Sequence, residues 1–288
     1  MTSSFTQSVD CRNVKRIKLF ATQCAGLALL LICIGNSGVF AQSIQPGDLS
    51  PFEVEFEVGN NMITAGTASL LLEKKDELWH YSLTTKPRGV FKLAGKGNIS
   101  EVSTFKVVTN DDLTELQPQT YRFRQDKEKR RAVDVTFDWD NKTLEHTYRG
   151  NNMTEAFTDP ILDRLTVTLL IMNALRHDFQ NAELPIFDTD KIKAVEFVYT
   201  GPETLKTRLG DIETVRVINR NATGGSRETT TWFAPSLDYL PVKIEHRKRG
   251  DLVARLSLIR MKNTDNGIQF EIPPPAESDD LVDSSKAK

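Results

Sequence analysis

Phe-Glu-Val-Glu-Phe-Glu-Val, residues 52–58, is the most regular stretch of the chain. Its apolar residues alternate with glutamates, so one face is hydrophobic and the other acidic, as a half-buried β-strand requires. The same period of two recurs at Val133–Trp139, and Asn141-Lys142 then marks a turn into a strand at 143–148. The sequence therefore predicts antiparallel β structure around these segments.

Similar but weaker patterns extend this prediction along most of the chain. Further strands are predicted at 67–72, 78–84, 97–107, 119–125, 194–200, 213–218, 228–233, 242–247 and 252–261. Short strands separated by turns favour a mainly β fold, with a strongly curved antiparallel sheet or a barrel-like closure. The pattern leaves open whether the sheet forms a barrel or a sandwich.

One segment, at about residues 160–176, has helical rather than strand periodicity. Asp159 is predicted to cap the helix and Pro160 to occupy its first position, where a missing N–H costs nothing. Apolar residues from Ile161 to Leu175 cover much of its circumference, which predicts a helix buried on more than one side. It either plugs the concave side of the curved sheet or lies on one face of a sandwich.

The first 41 residues resemble an export signal. Basic residues precede the uncharged stretch 19–34, and Val39-Phe40-Ala41 supplies a cleavage pattern before Gln42. An uncleaved anchor is the alternative, but a spanning helix needs about 20 apolar residues. We therefore predict a signal peptide at 1–41, cleavage between Ala41 and Gln42, and no transmembrane anchor after cleavage.

Subtracting this segment changes the composition of the chain. All three cysteines (Cys11, Cys24 and Cys33) lie within it, so the mature protein is predicted to be cysteine-free. Lysine and arginine total 37 against 39 acidic residues, a balance that argues against nucleic-acid binding. Residues 42–275 are predicted to form a single β-rich domain, and the acidic tail 276–288 is predicted to be disordered.

A search for catalytic and ligand-binding motifs yields few candidates. The four histidines are His80, His146, His177 and His246, and their spacing does not suit a metal site. Asp138–Asn141 begins like a calcium loop but lacks its glycine and terminal glutamate, so a turn is predicted. With neither a nucleophile elbow nor a phosphate loop, we expect no cofactor, no metal and no enzymatic activity, although Asp138 and Asp140 leave acid–base chemistry conceivable.

The densest basic run is Lys127–Arg131, Lys-Glu-Lys-Arg-Arg, between two predicted strands. The simplest interpretation is a loop that increases solubility. The alternative is contact with anionic lipid headgroups.

The last third of the chain carries a recognisable hairpin, Trp-Phe-Ala-Pro-Ser-Leu-Asp-Tyr-Leu-Pro-Val-Lys-Ile-Glu at 232–245. Together with Ala-Gly-Thr-Ala at 65–68 and the segment 207–214, it resembles the exported Gram-negative family known as domain of unknown function 3108. The resemblance implies a periplasmic protein with a β-rich, curved or barrel-like fold, and it supplies no agreed activity or catalytic residue. Trp232, Phe233, Tyr239 and Leu240 are interpreted as core anchors of a rigid turn.

Two functional hypotheses follow. The first is a periplasmic, non-enzymatic envelope protein that binds a lipid, an acyl chain or a hydrophobic peptide in a curved β groove, at residues that the sequence does not identify. The second is a structural or protein-interaction factor of the cell envelope, with a filled core and no ligand.

Overall fold

The computed structural model describes residues 49–95, 97–110, 113–158, 160–207, 210–263 and 269–271. The predicted signal peptide, the cleavage site at Ala41 and Gln42, the cysteines, Asp159 and the acidic tail all lie outside these residues. The signal peptide, its cleavage site and the disordered tail therefore stay predictions.

Within this part of the chain, sixteen strands belong to one sheet, accompanied by two short α-helices. The strands are β1 Phe52–Gly59, β2 Thr64–Lys75, β3 Leu78–Pro87, β4 Ile99–Asn110, β5 Leu113–Gln125, β6 Val133–Asp138, β7 Thr143–Tyr148, β8 Asn151–Ala156, β9 Leu162–Asp163, β10 Asn181–Asp188, β11 Lys191–Thr207, β12 Gly210–Asn221, β13 Arg227–Ala234, β14 Leu240–Lys248, β15 Asp251–Asn263 and β16 Gln269–Glu271. The helices are α1 Gly89–Leu93 and α2 Thr166–Arg176.

The sheet is a long meander. In spatial order the strands run from β8 down in number to β1. The next strand is β15, and the numbers then decrease again to β9, while β16 pairs with β15. Every pairing is antiparallel except that of β9 with β10. Apart from β8 and β9, which lie at the two ends of this order, strands that follow one another in sequence lie side by side, and their connections alternate between the two edges of the sheet.

The sheet curls until its two ends meet. The ring of Phe187 in β10 packs 6.5 Å from Tyr121 in β5 and 5.0 Å from His146 in β7. The backbone N–H of Ile192 in β11 donates to the carboxylate of Glu155 in β8, which joins one end of the sheet to a strand near the other end. The prediction of a strongly curved, barrel-like antiparallel sheet is confirmed, and one continuous sheet replaces the sandwich alternative.

The side chains of β1 lie on the two faces that the sequence predicted. Phe52, Val54 and Phe56 are buried, whereas the glutamates between them are on the outer face. Cross-strand partners share a face, so the register carries this inner surface onward to Leu70 and Leu72 in β2 and to Leu258 in β15. The apolar core lies inside the curved sheet for this reason.

Several elements were absent from the sequence prediction. Strand β8 reads Asn-Asn-Met-Thr-Glu-Ala and has no clean alternation, and β10 contains Pro185, which weakens any strand pattern. Helix α1 is only five residues long and buries none of them. All the strands that the sequence predicted are present, and most of them are longer than predicted.

The buried helix is confirmed, but its predicted start is wrong. Helix α2 begins at Thr166, because Leu162–Asp163 is a short strand paired in parallel with β10. Eight of its eleven residues are buried, among them Leu169 and Met172, which line a small gap against Phe52 and Leu72 of the inner face. The helix thus packs inside the curve, as the plug interpretation expected. Among the described residues, helices of the length and apolarity needed to cross a bilayer are not found.

The Trp-Phe-Ala-Pro hairpin is rigid in the expected way. Trp232, Phe233 and Leu240 are buried, and Tyr239 is half-buried against the core. Pro235 opens a 3-10 turn, and Asp238 and Tyr239 both adopt left-handed backbone conformations that reverse the chain. The N–H of Tyr239 donates to the carbonyl of Ala234 and closes the turn.

Gly66 shows how tightly β2 and β3 approach. A Cβ at this position would lie 2.1 Å from the carbonyl oxygen of Lys86, which is backbone and cannot move aside cheaply. We expect Gly66→Ala to lower the free energy of unfolding by about 1–3 kcal/mol, measured by urea denaturation. The control, Ser69→Ala in the same strand, is expected to change it by less than about 0.5 kcal/mol. Equal effects would contradict this explanation.

Candidate functional site

A group of charged side chains lies inside the curved sheet, and we call it the charged interior site: Glu101, Arg164, Asp188, Lys193 and His246. Arg164 contacts Glu101 at 3.3 Å (Nη2 to Oε1) and Asp188 at 3.7 Å (Nε to Oδ1). Lys193 donates to Asp188 at 2.8 Å. These residues come from β4, the β9–α2 connection, β10, β11 and β14, so only the closed sheet brings them together.

The charges alter one another's pKa values. Burial acts to raise the pKa of Asp188, but the adjacent Arg164 and Lys193 outweigh it and the pKa is lowered. The pKa of Arg164 is raised, chiefly by the charge of Glu101. The pKa of His246 is lowered, first by desolvation and then by the positive charge of Arg164. His246 is therefore electrostatically coupled to the opposite wall of the interior.

Water reaches this part of the interior. The side chain of Arg164 is 39% exposed and that of Asp188 34%, although both lie among inner-face residues. A fully dry core would exclude both side chains, so the charged interior site is in contact with solvent.

Beneath the charged site lies a fully buried polar group, the carboxylate of Asp163. Its Oδ1 accepts hydrogen bonds from the N–H groups of Leu165 and Thr166 at 2.8 and 3.0 Å, and its Oδ2 accepts one from Ser103. Burial raises its pKa despite these donors. Asp163 thus caps helix α2 and fastens it to β4.

The helix side of the interior is filled. The gap lined by Leu49, Phe52, Leu72, Leu169, Met172 and Leu240 has room for about one water molecule. A ligand of lipid size does not fit there without displacing α2.

The other half of the inner face is only partly covered, and we call it the open half. Apolar side chains there share the face of buried neighbours yet are only half-buried: Val58, Leu83, Phe123, Val195, Tyr199 and Ile244. The register explains their placement, because Ile244 pairs with Leu256, which in turn pairs with Val58. Leu83 and Phe123 both pair with Glu101, which sets this apolar surface beside the charged interior site.

The other histidines and aspartates singled out from the sequence lie outside the charged interior site. His80 lies in β3, His177 follows α2, and His146 is a buried β7 residue whose Nε2 lies 3.0 Å from Glu155. Asp138 accepts hydrogen bonds from the N–H groups of Asp140 and Asn141, which confirms the predicted turn. Over the described ranges, groups of three or more His, Cys, Asp and Glu suited to a metal ion are not present.

Sequence reasoning missed the charged interior site, although part of its signal was available. Glu101 and Ser103 occupy alternate positions between Ile99 and Phe105, so the period of two places them on the apolar face. A charge at such a position indicates an interior partner. Arg164, its partner, is 63 residues away in sequence and carries no such signal.

Together these features define a class: a mainly β protein whose single curved sheet encloses a half filled by helix α2 and a partly covered half with apolar and charged walls. Residues 52–257 match the family described as protein of unknown function DUF3108, and the chain belongs to that family. Comparison with curated proteins found no match.

One solved structure shares the fold of this chain. A β-barrel-like protein of domain of unknown function DUF1849 from Brucella abortus aligns with a TM-score of 0.51 at 11% identity, covering 75% of this chain and 99% of that one. A provisionally assigned lipoprotein from Parabacteroides distasonis aligns with a TM-score of 0.28 at 11% identity, covering 73% and 94%. The first likeness concerns the fold alone, and the second is too weak to support a structural conclusion.

Proposed function

We propose that this protein is an exported, periplasmic, non-enzymatic envelope protein that binds a hydrophobic ligand on the open half of its inner face. The observation that supports this is the set of half-buried apolar side chains beside the charged interior site. Apolar surface inside a curved sheet is left partly exposed at a cost, unless something covers it.

The arrangement suits an amphiphile. An acyl chain or an apolar peptide side chain would lie along Val58, Leu83 and Ile244, and a polar end would reach Arg164 and Lys193. Since Glu101 and Asp188 neutralise these two cations, the site favours a polar or zwitterionic end rather than a highly charged one.

The filled gap at α2 supports a different candidate for that half of the molecule. Around α2 the interior is packed as a structural core. The protein-interaction hypothesis expects such a filled interior throughout the protein. The two hypotheses therefore differ only over the open half, which is where an experiment has to act.

The test begins with protein purified from its own envelope, with its N-terminus sequenced and its bound molecules identified by native mass spectrometry. After extraction of the bound molecules, a fluorescent fatty acid is titrated into wild type, Ile244→Asn and Ile218→Asn. Both isoleucines are half-buried strand residues, but the register places Ile244 on the inner face and Ile218 on the outer face.

Ile244→Asn is expected to weaken fatty-acid binding by about tenfold, the effect of one polar group placed in an apolar contact. Ile218→Asn is expected to bind as wild type does. Absence of any copurifying lipid or peptide, together with no binding of the probe by wild type, would support the structural alternative instead.

A further inference from the structure

The exposed hydrophobic side chains are concentrated at one edge of the sheet. Because the sheet is a meander, the connections β1–β2, β3–β4, β5–β6, β7–β8 and β14–β15 all lie at the edge opposite α2. Met62 and Leu93 are each 88% exposed there, Val90 is 63% exposed, and Val253 is 59% exposed. Of the large hydrophobics exposed in the described part of the chain, Met153 alone lies within a strand away from these connections or their immediate ends.

The same connections are basic. Their described residues include Arg88, Lys92, Lys127, Lys129, Arg130, Arg131, Arg149 and Arg249. The acidic residues at this edge are Asp126, Glu128, Asp190 in the β10–β11 turn, and Asp251 at the first position of β15. We call this surface, with its exposed hydrophobics, the basic rim.

The opposite edge has the reverse composition. Its described connections contain Asp76, Glu77, Asp140, Asp178 and Asp238 against Lys142. The chain as a whole has a formal net charge of -2, so the basic rim reflects a separation of charge rather than an excess. A polarised protein of this kind orients in the field of a charged surface.

The connections of the rim form one surface. Asp126 in the β5–β6 connection accepts from the N–H of Asn98 in the β3–β4 connection at 3.2 Å. The N–H of Arg88 donates to the carbonyl of Ala65, which brings α1 beside the β1–β2 turn that carries Met62. The backbone N–H of Arg249 in the β14–β15 connection donates to the carbonyl of Ser226 in the β12–β13 connection, which lies at the same edge.

We propose that the basic rim docks onto the surface of an anionic phospholipid bilayer. Lysines and arginines near such a surface are attracted by its headgroups, and exposed apolar side chains between them insert at the headgroup boundary. Charge complementarity selects this occupant, since a neutral or basic partner would leave the rim's cations uncompensated. The docking goes beyond ligand binding in the groove and does not depend on it.

The test measures cosedimentation of the purified, full-length processed protein with phosphatidylcholine vesicles, with or without phosphatidylglycerol. Lys129→Glu with Arg130→Glu removes charge from the rim, and Met62→Ser with Leu93→Ser removes its apolar contacts. The matched control is Lys74→Glu with Lys75→Glu, which changes the net charge equally at exposed positions of the opposite edge.

Wild type is expected to bind only the vesicles that contain phosphatidylglycerol and to dissociate at high salt, because salt screens exposed charges. Each rim variant is expected to partition about tenfold less, on the scale of a few headgroup contacts, and the control is expected to match wild type. Equal binding by the rim charge variant and wild type, or an equal loss in the control, would overturn the proposal. Fatty-acid binding measured on the same variants should stay unchanged, which separates this result from that of the groove.

Discussion

Replacing Asp163 with alanine is expected to lower the free energy of unfolding by about 3–5 kcal/mol, the sum of a lost helix cap and buried donors left without a partner. The N–H groups of Leu165 and Thr166 and the hydroxyl of Ser103 all donate to this carboxylate within a fully buried environment. Urea denaturation monitored by far-ultraviolet circular dichroism measures the change.

Asp163→Asn is the matched control. The amide oxygen still accepts from the two backbone N–H groups, and its nitrogen can donate to Ser103, so the cap remains without a buried charge. We expect its effect to be much smaller than that of alanine. Equal losses in the two variants would show that the hydrogen bonds of Asp163 do not stabilise the fold.

The pH dependence of Asp163 has a defined direction. Burial raises its pKa in the folded protein above the ordinary 3.8, so just above pH 3.8 the folded chain keeps a proton that the unfolded chain has released. This residue's contribution to stability therefore falls as the pH rises through that window. Asp163→Asn removes this component of the profile, and a variant profile that kept it would assign the component to another group.

Replacing Glu245 with glutamine is expected to cost about 2–3 kcal/mol at neutral pH, because three cations lose the one carboxylate they share. Lys243 and Arg255 contact Oε1 at 3.1 and 2.9 Å, and Arg247 contacts Oε2 at 2.8 Å. The Glu245 side chain is only 5% exposed, so water replaces little of what is lost. The loss is measured by urea denaturation at pH 7.

The sign of the pH effect is opposite to that of Asp163. Burial acts to raise the pKa of Glu245, but hydrogen bonds from Arg247, Lys243 and Arg255 outweigh it and lower the pKa from 4.5 to about 2. Its stabilisation is fully present above pH 4.5 and is lost as the pH falls toward 2. Wild type is expected to lose this increment between these values, and Glu245→Gln is not.

The control for Glu245 is Glu55→Gln, which removes a carboxylate that accepts a hydrogen bond from Arg260. Arg260 is 46% exposed, so this pair is expected to contribute less than about 1 kcal/mol. If the two glutamine variants lose equal stability, convergence of three cations is not what makes Glu245 important.

The strands of the first half of the sheet could be predicted because their pattern is local. Phe52, Val54 and Phe56 alternate with glutamates, and nothing beyond seven residues is needed to assign their faces. The hairpin at 232–240 was equally readable, since Pro235 and the buried aromatic residues around it fix a turn within one segment.

The start of helix α2 could not be read in this way. Asp159 and Pro160 carry the usual signals of a helix N-terminus, yet the helix begins at Thr166 because β10 pairs with Leu162–Asp163 and Asp163 provides the cap. Here a long-range strand pairing overrides the local preference for a helix N-terminus.

Local sequence specified the strand faces, the turns and a buried helix, because periodicity and turn chemistry depend on neighbours along the chain. Tertiary structure decided which half of the interior is filled, which charges meet across it and which connections share an edge. Arg164 reaches Glu101, and Met62 lies on the same edge as the basic loop 127–131, only because a meander of strands has closed on itself. Such contacts join residues that are far apart in sequence, so no period within a single segment records them.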